Sequence, residues 1–117
     1  MTPFGDRVRQ LREQKGVNLK QMAADLEISP AYLSALEHGH KGVPSPMLQR
    51  QICTYFGLIW DDAEELERLA ALSDPKVTVE TSGLTPRHTL AANLLARRLP
   101  AMGKEELDRL LALLENG

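Results

Sequence analysis

Four times in this chain a hydroxyl residue is followed at once by proline: Thr2-Pro3, Ser29-Pro30, Ser45-Pro46 and Thr85-Pro86. A Ser or Thr side chain accepts an orphan N–H at a helix start, and proline, which has no N–H, fits the first helical position. Each pair therefore marks a helix start. The apolar residues that follow recur at helical spacing. Phe4, Val8 and Leu11 share one face until Gly16 ends the first helix. Asn18 caps a second helix, with Leu19, Met22, Ala23 and Leu26 inward. Leu33 and Leu36 face inward in a third, stopped by Gly39; residues 39–44 form a loop. Leu48, Ile52, Cys53 and Phe56 pack a fourth, ended by Gly57. Asp61 and Asp62 open a fifth, with acids where the helix dipole favours them. Leu66, Leu69 and Ala70 pack it, and Ser73-Asp74-Pro75 ends it. Only Phe4, Tyr32, Tyr55, Phe56 and Trp60 are aromatic, so the core is mostly Leu, Ala, Val, Ile and Met, which favours helices.

The texture changes at Lys76. Residues 76–83 alternate Val77 and Val79 with threonines, which reads as an extended linker or one short strand. Thr85-Pro86 opens a sixth helix with Leu90, Ala91, Leu94, Leu95 and Leu99 on one face, broken by Pro100. A seventh covers residues 104–115, with Leu107, Leu110, Leu111 and Leu114 on one stripe. The expected organisation is all-α: a five-helix domain over 1–73, a linker or strand over 74–84, and a helical hairpin over 85–117. Two helices cannot bury both stripes alone. They either fold back on the front domain or pair with a second copy. The favoured reading is a homodimer built through Leu90, Leu94, Leu95, Leu99, Leu107, Leu110, Leu111 and Leu114 as a four-helix bundle.

The net charge of −2 conceals an asymmetry. Residues 1–60 carry seven Lys or Arg and five acids, a balance of +2; residues 61–117 carry seven and eleven, a balance of −4. The front half can meet an anion that the rear half would repel. No apolar run approaches the roughly 20 residues of a membrane span. Residues 1–10 are polar and do not read as a secretory signal. A single cysteine excludes an intramolecular disulfide framework and suits the cytoplasm. His38, His40 and Cys53 fit no common metal spacing, and Cys53 lies on an inner face, so no metal or other cofactor is expected. Ser34 with a nearby histidine lacks a third catalytic partner, so no enzyme is expected either.

The segment that carries function is Leu19 to Leu36. Two helices of about eight residues are joined by the turn Glu27-Ile28-Ser29, with small Ala23 where the helices cross. The first would brace across a phosphate backbone and hold the front of the second in a major groove. Residues 4–58, through LREQKGVNLKQMAADLEIS, YLSALEHG and PSPMLQRQICTYFGL, resemble the helix-turn-helix family of the phage Cro and cI repressors. The resemblance implies a five-helix, lambda-repressor-like domain binding double-stranded DNA. It places Ser29, Pro30, Ala31, Tyr32, Ser34 and Ala35 at base edges. It places Asn18, Lys20, His38, His40 and Lys41 at phosphates, and of the front-half arginines Arg12 is the one expected to join them.

Departures from the family pattern are Leu19 where glutamine is common, Glu27 where glycine is usual, and Gln49 where an apolar residue is usual. No Arg, Lys, Asn or Gln lies between Ser29 and Glu37, so the residues of the strong bidentate base contacts are missing. The expected function is a dimeric transcriptional repressor without membrane association. Its alternatives are an antitoxin-type autoregulator of a toxin–antitoxin pair and a helix-turn-helix protein adaptor that does not bind DNA.

Overall fold

The computed structural model describes residues 2–116, and every regular element among them is helical. The chain divides into two compact units, Met1–Val77 and Thr78–Gly117. The first contains α1 (Pro3–Lys15), α2 (Leu19–Asp25), α3 (Pro30–Glu37), α4 (Pro46–Tyr55) and α5 (Trp60–Ala71). Its helix starts follow local chemistry. The side chains of Thr2, Asn18, Ser29 and Ser45 accept from the backbone N–H groups of Gly5, Gln21, Tyr32 and Leu48. Each such cap contributes about 1 kcal/mol. α5 departs from the expected start: it begins at Trp60, one residue before the acids, and Ile59 supplies no side-chain cap.

The helices close around Phe4, Val8, Met22, Ala23, Leu33, Leu36, Ile52 and Leu66, all buried. Cys53 is buried beside Ile52, as its position on the inner face of α4 requires. Two contacts lock α1 in place. The N–H of Phe4 donates to Ser73 Oγ at 2.9 Å, and that hydroxyl donates to Leu69 O at the end of α5. Gly5 lies so near the end of α3 that a Cβ there would stand 1.9 Å from Glu37 O. Only glycine permits this approach.

The second unit holds α6 (Pro86–Arg98), a single 3-10 turn over Leu99–Ala101, and α7 (Lys104–Glu115). Thr85 caps α6, and His88 Nδ1 in return accepts from the Thr85 N–H at 3.2 Å, a reciprocal capping box. No strand forms at Val77 or Val79, which are exposed. None of residues 78–116 is fully buried. An apolar groove of about 500 Å³ runs along the hairpin over Ala91, Leu95, Leu110 and Leu114. No helix among the described residues is long and apolar enough to cross a membrane.

Candidate nucleic-acid interface

The candidate interface comprises α2, the turn after it, and α3. α2 ends with two backbone bonds, Glu27 N to Ala24 O at 3.1 Å and Ile28 N to Ala23 O at 2.9 Å. Such a closure puts its pivot residue in the left-handed region, where glycine is favoured. Here the pivot is Glu27, at φ 58°. The family's glycine position thus keeps its backbone conformation with a side chain present, at a cost of roughly 1–2 kcal/mol. Ile28 and Leu26 pack against the core on either side of the pivot and hold the turn.

α3 is two-sided. Leu33, Leu36 and Glu37 are buried, whereas Ser29, Pro30, Ala31 and Tyr32 are exposed at its front end. Ser34 and Ala35 are half-buried one turn later. The Ser29 hydroxyl oxygen accepts from Tyr32 N at 3.0 Å, which leaves its own proton to donate outward. The Tyr32 phenol has no hydrogen-bond partner among the described residues, and the residue is 36% exposed. Of the six candidate base-facing residues, four are thus exposed and two half-buried.

The candidate phosphate-facing residues divide. Asn18 is exposed, and its side-chain oxygen caps α2 at 2.8 Å from Gln21 N, while its amide NH2 group has no hydrogen-bond partner among the described residues. Lys20 and Lys41 are exposed and form no ion pair among the described residues. His38 and His40 are exposed, with ring centroids 6.1 Å apart. Ser34 O lies 2.8 Å from His38 Nδ1. A carbonyl only accepts, so Nδ1 carries the proton and Nε2 is the second ring position. Arg12 does not join this set. Its Nε and Nη2 donate to the two carboxylate oxygens of Glu37 at 3.2 and 2.9 Å, and the side chains are only 12% and 2% exposed. The expectation for Arg12 fails because the guanidinium is committed to a buried carboxylate.

Residues outside the expected set complete the frame. Gln49 donates from Nε2 to Pro44 O at 2.8 Å and so fixes the loop before α4, which is why an amide is accommodated at a half-buried position. Leu19 is half-buried and packs against the core, so this position contributes to stability and not to anion contact. Tyr55 OH donates to Asp25 Oδ2 at 2.6 Å, and Lys15 Nζ sits 5.0 Å above the Tyr55 ring. This cluster joins α1, α2 and α4. Burial, with the Asp25 hydrogen bond and charge, pushes the Tyr55 phenol up to about 12.

Residues 3–69 match the helix-turn-helix domain family. The chain is similar to the "HTH-type transcriptional repressor RghR" of Bacillus subtilis, 39% identical over 46 residues, which are 39% of this chain and 34% of that protein. It is similar to the "HTH-type transcriptional regulator RamB" of Mycobacterium tuberculosis, 42% identical over 57 residues, 49% of this chain and 12% of that protein. It is also similar to the "HTH-type transcriptional regulator DdrOP3" of Deinococcus deserti, 37% identical over 62 residues, 53% of this chain and 48% of that protein. The matched stretch thus spans less than half the length of each of these relatives. No solved structure matches the chain. The helical order, the α2–α3 turn and this match over more than half of its length make the chain a member of the helix-turn-helix domain family.

Proposed function

We propose that this chain is a sequence-preferring double-stranded DNA-binding transcriptional regulator, a homodimeric repressor that places the front of α3 in the major groove. Residues 1–73 are its DNA-binding domain and 85–117 its dimerisation hairpin, and it acts in the cytoplasm by binding, not catalysis. The observation that carries the reading is the two-sidedness of α3: an anchored face of Leu33 and Leu36, and an open front of Ser29, Pro30, Ala31 and Tyr32. A recognition helix needs both, since its N-terminal residues must reach base edges while a crossing helix braces it. The names of the relatives support a regulatory role, and that of RghR supports repression.

Ser29, Pro30, Ala31, Tyr32, Ser34 and Ala35 meet base edges. Asn18, Lys20, His38, His40 and Lys41 meet phosphates. Without Arg, Lys, Asn or Gln on the outer face, discrimination comes from hydroxyls, methyl contacts and DNA shape. Single base changes should therefore cost nearer to about 1 than about 3 kcal/mol.

The test is electrophoretic retardation on the chain's own promoter and on a scrambled duplex at two salt concentrations. Lys20 and Lys41 supply four phosphate contacts per dimer, so log affinity should fall against log salt with a slope of about −3.6. A fourfold rise in salt then weakens binding roughly a hundredfold. Lys20→Ala with Lys41→Ala should weaken both duplexes alike and flatten the slope. Tyr32→Ala should change the preference between them. Absence of retention at the lower salt concentration would overturn the reading.

A further inference from the structure

We propose that His38 and His40 make the DNA grip of this chain proton-dependent: as imidazolium groups they hold phosphate, and as neutral imidazoles they release it. The proposal rests on the DNA-binding reading above and adds to it how that same surface is regulated.

Position is the first support. His38 follows α3 with helical backbone angles, φ −91° and ψ −1°. Ala31, Ser34, Ala35 and His38, at i, i+3, i+4 and i+7, therefore share one helix face, while Leu33, Leu36 and Glu37 are buried on the other. The histidine thus extends the face that carries the candidate base-facing residues. His40 stands beside it, with ring centroids 6.1 Å apart, and both residues are exposed. His38 Nδ1–H donates to Ser34 O at 2.8 Å, so Nε2 is the nitrogen that gains or loses the proton.

Charge is the second support. Between Ile28 and Trp60 the sole acid is Glu37, and Arg12 neutralises it in a buried pair. The acids on the elements packed against α3 are also engaged. On α1, Asp6 accepts from Gln10 and Glu13 pairs with Arg9. On α2, Asp25 accepts from Gln21 and from Tyr55. Beyond α5, Asp74 accepts from the N–H of Lys76. Among the described residues neither His38 nor His40 forms an ion pair. The remaining charges of the surface are cationic, Lys20 on α2 and Lys41 in the loop, so an imidazolium there has an external anion as its partner.

Imidazole is the side chain that changes charge between about pH 5 and 8. Of the candidate phosphate-facing residues, Lys20 and Lys41 carry fixed charge and His38 and His40 carry it only when protonated. The charge of this set therefore doubles, from +2 to +4 per copy, when both histidines are protonated. Two imidazolium groups this close repel each other, and a phosphate against them offsets the repulsion. Protonation and DNA binding then favour each other, as linkage requires. The sign follows: affinity is greatest at low pH and falls as pH rises through the imidazole range. Phosphate carries no base information, so the order of preference among sequences stays the same.

The test measures retardation of the full chain on its promoter duplex against salt, at about pH 5.5 and about pH 8. With the lysines alone the slope of log affinity against log salt is about −3.6; with four protonated histidines per dimer it should steepen to about −7.2. At about 0.1 M salt each added contact multiplies affinity about eightfold, which is roughly sixtyfold per copy. His38→Gln with His40→Gln should give one slope at both pH values. His88→Gln replaces the third histidine, which lies in the other unit, and should keep the two slopes apart. Titration calorimetry in two buffers of different ionisation heat should show proton uptake on binding, lost in the double variant. Retention with the same slope at both pH values would overturn the proposal and leave the DNA-binding reading standing. A pH dependence that survives in the double variant would overturn it as well. Absence of retention at both pH values would overturn the two together.

Discussion

Replacing Arg12 by methionine should destabilise the front unit far more than loss of a surface ion pair would. The Glu37 side chain is 2% exposed, and both its oxygens accept from Arg12. Without the guanidinium, a desolvated carboxylate remains with no cation. Breaking a buried pair in this way costs about 3–5 kcal/mol. A unit of this size has a total stability of roughly 4–11 kcal/mol, so the single change would remove much of it. If the orphaned charge is the cause, removing it should undo the damage. Arg12→Met combined with Glu37→Leu should then lie within about 1 kcal/mol of the original protein. Cys53 provides a readout specific to this unit. It is the only cysteine, it is buried, and its thiol is pushed up by burial first and by the Glu67 charge second. It should react with an alkylating agent only when the front unit opens. Pulsed labelling along a urea series therefore reports the stability of this unit independently of the hairpin. A loss below about 1 kcal/mol for Arg12→Met would place the pair among solvent-screened ones and refute the reasoning. A double variant as unstable as the single one would refute the assignment of the loss to the stranded carboxylate.

Three further outcomes follow from the same geometry. Gly5→Ala should cost about 3 kcal/mol in the same urea series, because its Cβ would sit 1.9 Å from Glu37 O and the end of α3 would have to shift. Glu27→Gly should stabilise by up to about 1 kcal/mol, because it relieves a left-handed non-glycine residue at φ 58°; thermal melting would show a rise of about 4–8 °C for each kcal/mol. The Tyr55 phenol holds its proton more tightly in the folded state, about 12 against an ordinary 10.0, so its contribution to stability is full below pH 10 and is lost between pH 10 and about 12. Tyr55→Phe should flatten that alkaline decline in urea melts.

The helix starts were legible in the sequence because a cap is local: hydroxyl, proline and the N–H they serve lie within four residues. The left-handed pivot was not legible, because a glutamate where the family usually has glycine fits either a changed turn or a left-handed residue, and the structure has the second, at φ 58°. What else escaped a reading along the chain was long-range. Glu37 reads as a polar helix end, and only a partner 25 residues away permits its burial. A signal was nevertheless present. Leu33, Leu36 and Glu37 fall at i, i+3 and i+4 on one face, as do Val8, Leu11 and Arg12. An acid on one inner face and a base on another, in helices that must cross, point to a buried pair. The charge of Arg12 alone suggests a phosphate, whereas its place beside Val8 and Leu11 on the inner face of α1 suits a buried carboxylate. The start of α5 escaped for another reason: Ile59 and Trp60 carry no cap signal, and Trp60 takes a positive φ of 51° that its size disfavours.

The two proposed surfaces depend on each other in a measurable way. An outer face on α3 with hydroxyls and methyl groups discriminates weakly, so one copy alone should bind DNA near the non-specific range of roughly 10⁻⁴ to 10⁻⁶ M. Two such units joined through their hairpins meet DNA at an effective local concentration of about 1 mM, provided the spacing matches half-sites about 34 Å apart. For a single-unit Kd near about 10⁻⁵ M, the second contact tightens binding by roughly a hundredfold. Leu94→Glu, in the proposed dimerisation hairpin and far from α3 in sequence, should therefore lower affinity for a two-half-site duplex at protein concentrations below its own dimer constant. It should leave affinity for a single half-site, and the order of preference among bases, unchanged. Tyr32→Ala should do the reverse, reordering preference while the sedimentation mass stays that of a pair. Equal loss on single and double half-sites for Leu94→Glu would mean that the hairpin acts on the reading unit directly. The weak outer face of α3 would then have to achieve its affinity without a second copy, which its side chains do not equip it to do.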